Sequence, residues 1–122
     1  MADLINIKFQ SNYNIDGEVE KIEFMAKGYK KVENEQKIIY FKHDHAYKFI
    51  LGFNELEVNV DTSVYKFNCN KKTEAIISGD DYSYKVSVNT KVLNILDNKI
   101  DLIYELDFGG FKGEYQIILE LL

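Results

Sequence analysis

The chain has 122 residues, of which 46% are hydrophobic and 14% aromatic, enough to bury one core without staples and too apolar for a disordered polymer. A single cysteine, Cys69, excludes an internal disulfide framework and with it the small secreted class, and fits a reducing cytosol. The net charge of −5, with every basic residue a lysine, argues against sequence-independent binding to nucleic acid, which needs a basic stripe.

The excess acid is unevenly placed. Residues 1–50 hold eight lysines against eight acids, and residues 51–122 hold seven against twelve. The N-terminus Met1-Ala2-Asp3-Leu4 lacks the basic and apolar regions of a signal peptide, and no run of about eighteen apolar residues could span a bilayer. The expectation is a cytoplasmic protein that engages neither membrane nor nucleic acid, folded as one domain over 1–122.

Period-two alternation of apolar and polar residues runs through almost the whole chain, unbroken by proline. Successive strand side chains face opposite sides, so this is the pattern of half-wet β-strands. The first segment, about Leu4 to Tyr13, carries Ile5, Ile7, Phe9 and Tyr13 on one face, and Asn14-Ile15-Asp16-Gly17 turns it. The second, Glu18 to about Lys31, turns Ile22, Phe24, Ala26 and Gly28 inward, and Gly28 predicts a bulge or sharp bend. Asn34-Glu35 leads into Lys37–Lys42, and His43-Asp44-His45 follows.

A strand with Tyr47, Phe49, Leu51 and Phe53 on one face comes next, then turns at Asn54-Glu55 and Asp61-Thr62-Ser63 bound Leu56, Val58 and Val60. Tyr65, Phe67 and Cys69 share a face, which predicts a buried, inert Cys69. A short strand from about Thr73 to Ser78 precedes the turn Gly79-Asp80-Asp81, then Tyr82, Tyr84, Val86, Val88 and Thr90. Residues 92–104 also satisfy helical spacing, but Asp97-Asn98 and the clean alternation of Ile100, Leu102, Tyr104, Leu106 and Phe108 favour a hairpin. Gly109-Gly110-Phe111-Lys112-Gly113 is the last loop, before Tyr115, Ile117, Leu119 and Leu121.

Eight to ten strands joined by short loops favour sequential antiparallel neighbours, and a long meander hides its edges by closing. The expected fold is all-β: an antiparallel up-and-down barrel of eight to ten strands, with a two-layer sandwich as the alternative.

Gly28-Tyr29 after a strand, Ile38-Ile39-Tyr40-Phe41, Ile77-Ser78-Gly79 and the closing Ile100-Asp101-Leu102-Ile103-Tyr104-Glu105-Leu106 resemble, in order and over nearly the whole chain, the YwiB-like family of uncharacterised small bacterial proteins. The resemblance implies a calycin-like (lipocalin-type) barrel and no activity. In that family's pattern an arginine and, two residues on, a glycine precede the Gly79 region; here Lys66 and Asn68 stand there. If that arginine holds a ligand or an internal ion pair, Lys66 replaces it only in part.

Reaction chemistry is sparse. His43 and His45 would share a strand face, but two histidines without a placed third ligand leave a metal site incomplete, and they read as a solvated tip. Asp101, Glu105 and Asp107 share a face opposite a strongly apolar one and belong to the wet exterior. No serine has an adjacent base, and Gly109-Gly110-x-x-Gly113 joins two strands with no helix behind it, so it cradles no phosphate. Neither an enzyme nor a cofactor is expected.

The rings carry the functional reading. Phe9, Tyr13, Phe24, Tyr47, Phe49, Phe53, Tyr65, Phe67, Tyr82, Tyr84, Tyr104, Phe108 and Tyr115 all fall on faces assigned inward. They either fill the barrel or line a pocket with tyrosine hydroxyls as polar anchors. The first function is therefore a binding module for a small, largely apolar ligand, with Phe49, Tyr82, Tyr84 and Tyr104 nominated as ligand-binding and Lys66 added from the resemblance. The alternative is an interaction protein with a filled barrel, acting through its surface or an open edge, for which Phe111 and Leu119–Leu122 are the exposed-patch candidates unless their apolar faces close the barrel, which is the reading preferred.

Overall fold

The computed structural model describes residues 2–15 and 17–122, and these form ten strands: β1 (Asp3–Ile15), β2 (Glu18–Glu33), β3 (Gln36–His43), β4 (His45–Leu51), β5 (Glu55–Val60), β6 (Ser63–Asn68), β7 (Thr73–Ser78), β8 (Ser83–Ile95), β9 (Lys99–Asp107) and β10 (Lys112–Leu121). Every strand pairs antiparallel with its chain neighbours, and β1 also pairs with β10, closing the barrel. Residues 92–104 are strand and hairpin, as the alternation predicts.

Turn chemistry matches the turn geometry. Asn34, Asp44, Asn54 and Asp61 take positive φ, a conformation that Asn and Asp tolerate best after glycine. At the β2–β3 hairpin both Asn34 (51°) and Glu35 (67°) are positive, the type I′ geometry whose twist suits the flanking strands. The β1–β2 turn passes through Asp16, which lies outside the described residues, and Gly17 at φ 83°.

The meander gives the barrel two rims. Turns β1–β2, β3–β4, β5–β6, β7–β8 and β9–β10 form the upper rim; the other four turns and both termini form the lower. Strand lengths are unequal: β5, β6 and β7 have six residues each, whereas β1 and β8 have thirteen and β2 sixteen. The upper part of β2 pairs with β1 only, since β3 meets it from Gly28 onward. Glu18, Glu20, Lys21 and Glu23 put charge on this overhanging edge, as natural sheets do against stray pairing.

The interior is packed. Phe49, Phe67, Ile7, Ile39, Leu56, Leu102, Leu119 and Val88 are fully buried, and one cluster of inward side chains runs through the barrel. Each such side chain contributes about 1.5–3 kcal/mol on burial. The opposite face carries lysine and glutamate, as at Lys31, Glu33, Lys91 and Glu105. Among the described residues no helix is long and apolar enough to cross a membrane.

Three expectations need correction. Gly28 marks neither bulge nor register break, because β2 runs continuously past it; the irregularity lies instead at Thr90/Val92. Cys69 is exposed in the turn after β6, because the strand ends at Asn68 and the alternation does not continue. Phe53, in the β4–β5 turn, is 93% exposed for the same reason.

Gly28 is required by close approach. A Cβ there would meet the Tyr40 carbonyl oxygen, with Ile7 Cδ1 at 2.8 Å and Phe41 Cβ at 2.9 Å. Gly28→Ala is expected to destabilise by about 1–3 kcal/mol, the cost of overpacking, seen as a lower thermal midpoint by circular dichroism. Gly110→Ala, where a Cβ meets open space, is the control and should change stability by less than about 0.5 kcal/mol.

Candidate functional site

The upper rim is where the sheet's inner face meets water, and most of the inward tyrosines sit there. Burial falls off toward the rim. Phe67 is 1% exposed, Tyr104 above it 6%, Tyr65 and Tyr115 are half-buried, and Tyr84 and Tyr82 reach 47% and 57%. Phe67, Tyr104, Tyr115 and Tyr13 touch in a run, with centroids 4.6, 5.2 and 5.9 Å apart, and Tyr82 and Tyr84 form a separate pair at 6.0 Å. Together they form an aromatic wall that grades from a buried base to an exposed lip at the upper rim.

The other wall is built from β1 to β4. Phe9, Phe24, Phe41 and Tyr47 form a second ring cluster, and the His43 imidazole stacks on Phe24 at 4.0 Å. At its lip His45 Nδ1 lies 2.7 Å from Asp61 Oδ2, while the Ala46 N–H donates to Asp61 Oδ1 at 2.9 Å. The Ala46 N–H, and after it His45, hold the Asp61 carboxyl below its usual value. The histidine tip thus belongs to the upper rim, with His45 already partnered by the β5–β6 turn.

The phenols of the tyrosine wall influence one another. Burial raises the pKa of Tyr65, and the nearby phenols of Tyr115, Tyr84 and Tyr82 raise it further. Tyr115 is raised by burial and then by Tyr84. Tyr104 is raised most, by burial and then by Tyr65 and Tyr115. On β4, Tyr47 is raised by burial, then by Asp61 and Asp44. Among the described residues the side-chain hydrogen bonds join amides, carboxylates, serines, threonines, histidine and lysine, and none engages these hydroxyls. A half-buried hydroxyl without a protein partner is open to water or a ligand.

The five residues nominated from the sequence therefore occupy three places. Tyr104 is buried beneath the upper rim, and Tyr82 and Tyr84 pair with each other at the exposed lip and not inside the barrel. Phe49 is fully buried at mid-barrel, packed on Phe41 at 5.9 Å, and touches no opening. Lys66 points outward, because Tyr65 and Phe67 take the inner face, and it lines clefts on the outer wall of about 380 and 590 Å³. Tyr65, Tyr115 and the His45–Asp61 pair were missed as site residues; the meander, which sends alternate turns to one rim, was the available signal.

The carboxylates of β9 and β10 pair with lysines on the outer face. Glu105 lies between Lys91 Nζ at 3.8 Å and Lys112 Nζ at 3.9 Å, and Lys91 bonds Glu114 at 2.7 Å. Asp101 keeps one buried oxygen without a partner among the described residues. No three potential metal ligands cluster among the described residues.

These features define a class: a closed, antiparallel, up-and-down barrel with a solid interior and an aromatic mouth. The same fold is found in the ywiB protein from Bacillus subtilis, whose crystal structure matches with a TM-score of 0.74, covering 99% of this chain and 93% of that one at 19% identity. The likeness expected from the residues is thus met at the level of fold. No family model and no curated protein matches the chain.

The raised phenols give a direct prediction. Tyr47, Tyr65, Tyr104 and Tyr115 should ionise later than the ordinary value of 10.0 when phenolate absorbance is followed on alkaline titration of the folded protein. Because the unfolded chain ionises at that value, stability present below pH 10 should fall as pH rises above it. All nine tyrosines titrating together in the folded state would contradict the buried wall.

Proposed function

We propose that this barrel is a binding module that takes a small, largely apolar molecule at its upper mouth. The observation that carries the reading is the graded tyrosine wall, from buried Tyr104 to exposed Tyr84 and Tyr82, with hydroxyls free of protein partners. Ring faces supply apolar contact at little entropic cost, and the phenols supply sparse directional anchors. The packed interior restricts such a ligand to the mouth, since Phe49, Phe67 and Leu102 already fill the space beneath.

A second reading has its own support. Phe111 is 47% exposed at the β9–β10 tip, stacked on Phe108 at 4.9 Å, and the β2 overhang leaves a free strand edge beside the same mouth. Both features would serve a protein partner covering the rim.

The chain has no tryptophan, so its emission comes from nine tyrosines, those of the mouth among them, and variants assign the signal. Titration with the neutral probe N-phenyl-1-naphthylamine should show saturable energy transfer from tyrosine. Tyr84→Ala and Tyr115→Ala should each weaken binding by about tenfold, the upper end of a ring–ring contribution. Tyr29→Ala, an exposed ring on the outer wall, should not. Equal loss in the Tyr29 variant would remove the mouth from consideration. Native mass spectrometry after incubation with cell extract should then show a bound small molecule, and a bound polypeptide would favour the second reading.

A further inference from the structure

The largest cleft described on this protein is on the outside, on the opposite face of the strands that carry the mouth's tyrosines. β6 and β7 share only two register pairs, Val64↔Ile76 and Tyr65↔Ala75. Below them the strands part, and side-chain hydroxyls take over: Thr73 donates to the Lys66 carbonyl, and the Asn68 N–H donates to Thr90 Oγ1 at 3.2 Å. The parting opens a groove of about 590 Å³ across the outer faces of β6, β7 and β8.

Its lining is chemically lopsided. Lys66, Lys71, Lys72 and Lys85 face it against a single carboxylate, Glu74. These are four of the seven lysines in residues 51–122, the part of the chain that carries all the excess acid. Of the other three, Lys91 and Lys112 are neutralised by Glu105 and Glu114. Val64 and Ile76, cross-strand neighbours, give the groove an apolar floor, and Thr73 and Ser87 add hydroxyls. An adjoining cleft of about 380 Å³ shares Lys66, Lys71 and Thr73.

We propose that this groove binds a small organic polyphosphate, with phosphates on the lysines and an apolar or aromatic body on Val64 and Ile76. Lysine ammoniums are mobile point charges, suited to clustered phosphate oxygens without the planar fork of arginine. The volume lies in the range of ligand sites, and among the described residues none of the four lysines forms an ion pair, with Glu57 the cross-strand neighbour of Lys66. A nucleic-acid strand fits less well, because Glu55 and Glu57 line the adjoining cleft and interrupt any basic stripe.

The test is calorimetric titration of the full chain with ATP at low salt, and with tripolyphosphate as the charge-only probe. ATP should bind saturably, and more tightly than tripolyphosphate. Lys66→Gln and Lys85→Gln should each weaken it by about tenfold, one charge-assisted hydrogen bond apiece. Both residues are exposed, so the variants should keep their thermal midpoints. Lys27→Gln/Lys99→Gln removes two equal charges elsewhere and should change binding by less than about twofold. Tyr84→Ala should leave it unchanged, which separates this site from the mouth. Absence of saturable ATP binding, or equal weakening in the control pair, would overturn the proposal. Tripolyphosphate binding as tightly as ATP would overturn the role of the floor, and a single-stranded oligonucleotide outcompeting ATP would replace the small ligand with nucleic acid.

Discussion

Closure of the ladder between β1 and β10 is the constraint on which the rest of this structure depends. An open ten-strand meander would leave two hydrophobic edges and an inner face spread too flat to bury. Pairing Ile7 with Leu121 and Phe9 with Leu119 brings the two ends of the chain together and converts ten half-wet strands into one core. It also sets a volume problem. Eight strands are just filled by ordinary side chains, so ten need bulkier ones, and Phe9, Phe41, Phe49 and Phe67 supply them. The aromatic content is first of all what makes so wide a barrel solid.

Both candidate sites arise where the closed ladder and the strand lengths disagree. The tall strands β1, β2 and β8 rise past the packed layer at the upper rim, so inward residues there meet water instead of a facing wall. Ile22 on β2 is 48% exposed for this reason, like Tyr84 on β8. The short strands β6 and β7 run out before the circumference is complete, and the barrel is finished by hydroxyls. Ser63 Oγ accepts from the Ser78 N–H at 3.0 Å at the top of this seam, and Thr73 and Thr90 serve at the bottom. Mismatch at the ends makes a mouth; mismatch at the seam makes a groove.

This geometry explains which parts of the molecule the residue pattern revealed. Period two assigns a face to each side chain without reference to anything distant, so Ile100, Leu102, Tyr104 and Leu106 could be placed inside from their own neighbours, and all are buried. Turns were equally local, because Asn34, Asp44, Asn54 and Asp61 pay little steric cost for positive φ. Depth along the barrel axis is not a local property. Phe49, Tyr82 and Phe53 share the inward signature, yet one is core, one is lip and one lies beyond the strand end. Nor is convergence across strands: the His45–Asp61 pair and the four groove lysines come from segments whose register only the closed sheet establishes. Lys66 is the instructive case, since alternation alone places it outside, between Tyr65 and Phe67, while the family resemblance suggested a ligand role.

Tyr65 and Lys66 also tie the two surfaces together physically. They are consecutive residues of one six-residue strand, the first facing the phenols of the mouth and the second the lysines of the groove. That strand is held to β7 by the shortest ladder in the barrel. Backbone order in such a strand is shared by both of its faces, so any restraint placed on Lys66 from outside also restrains the backbone that carries Tyr65. Charge keeps the two surfaces chemically distinct: the mouth is lined by neutral phenols and one compensated His–Asp pair, the groove by ammoniums in excess of their single carboxylate. An apolar molecule and a polyanion would therefore not compete for either site.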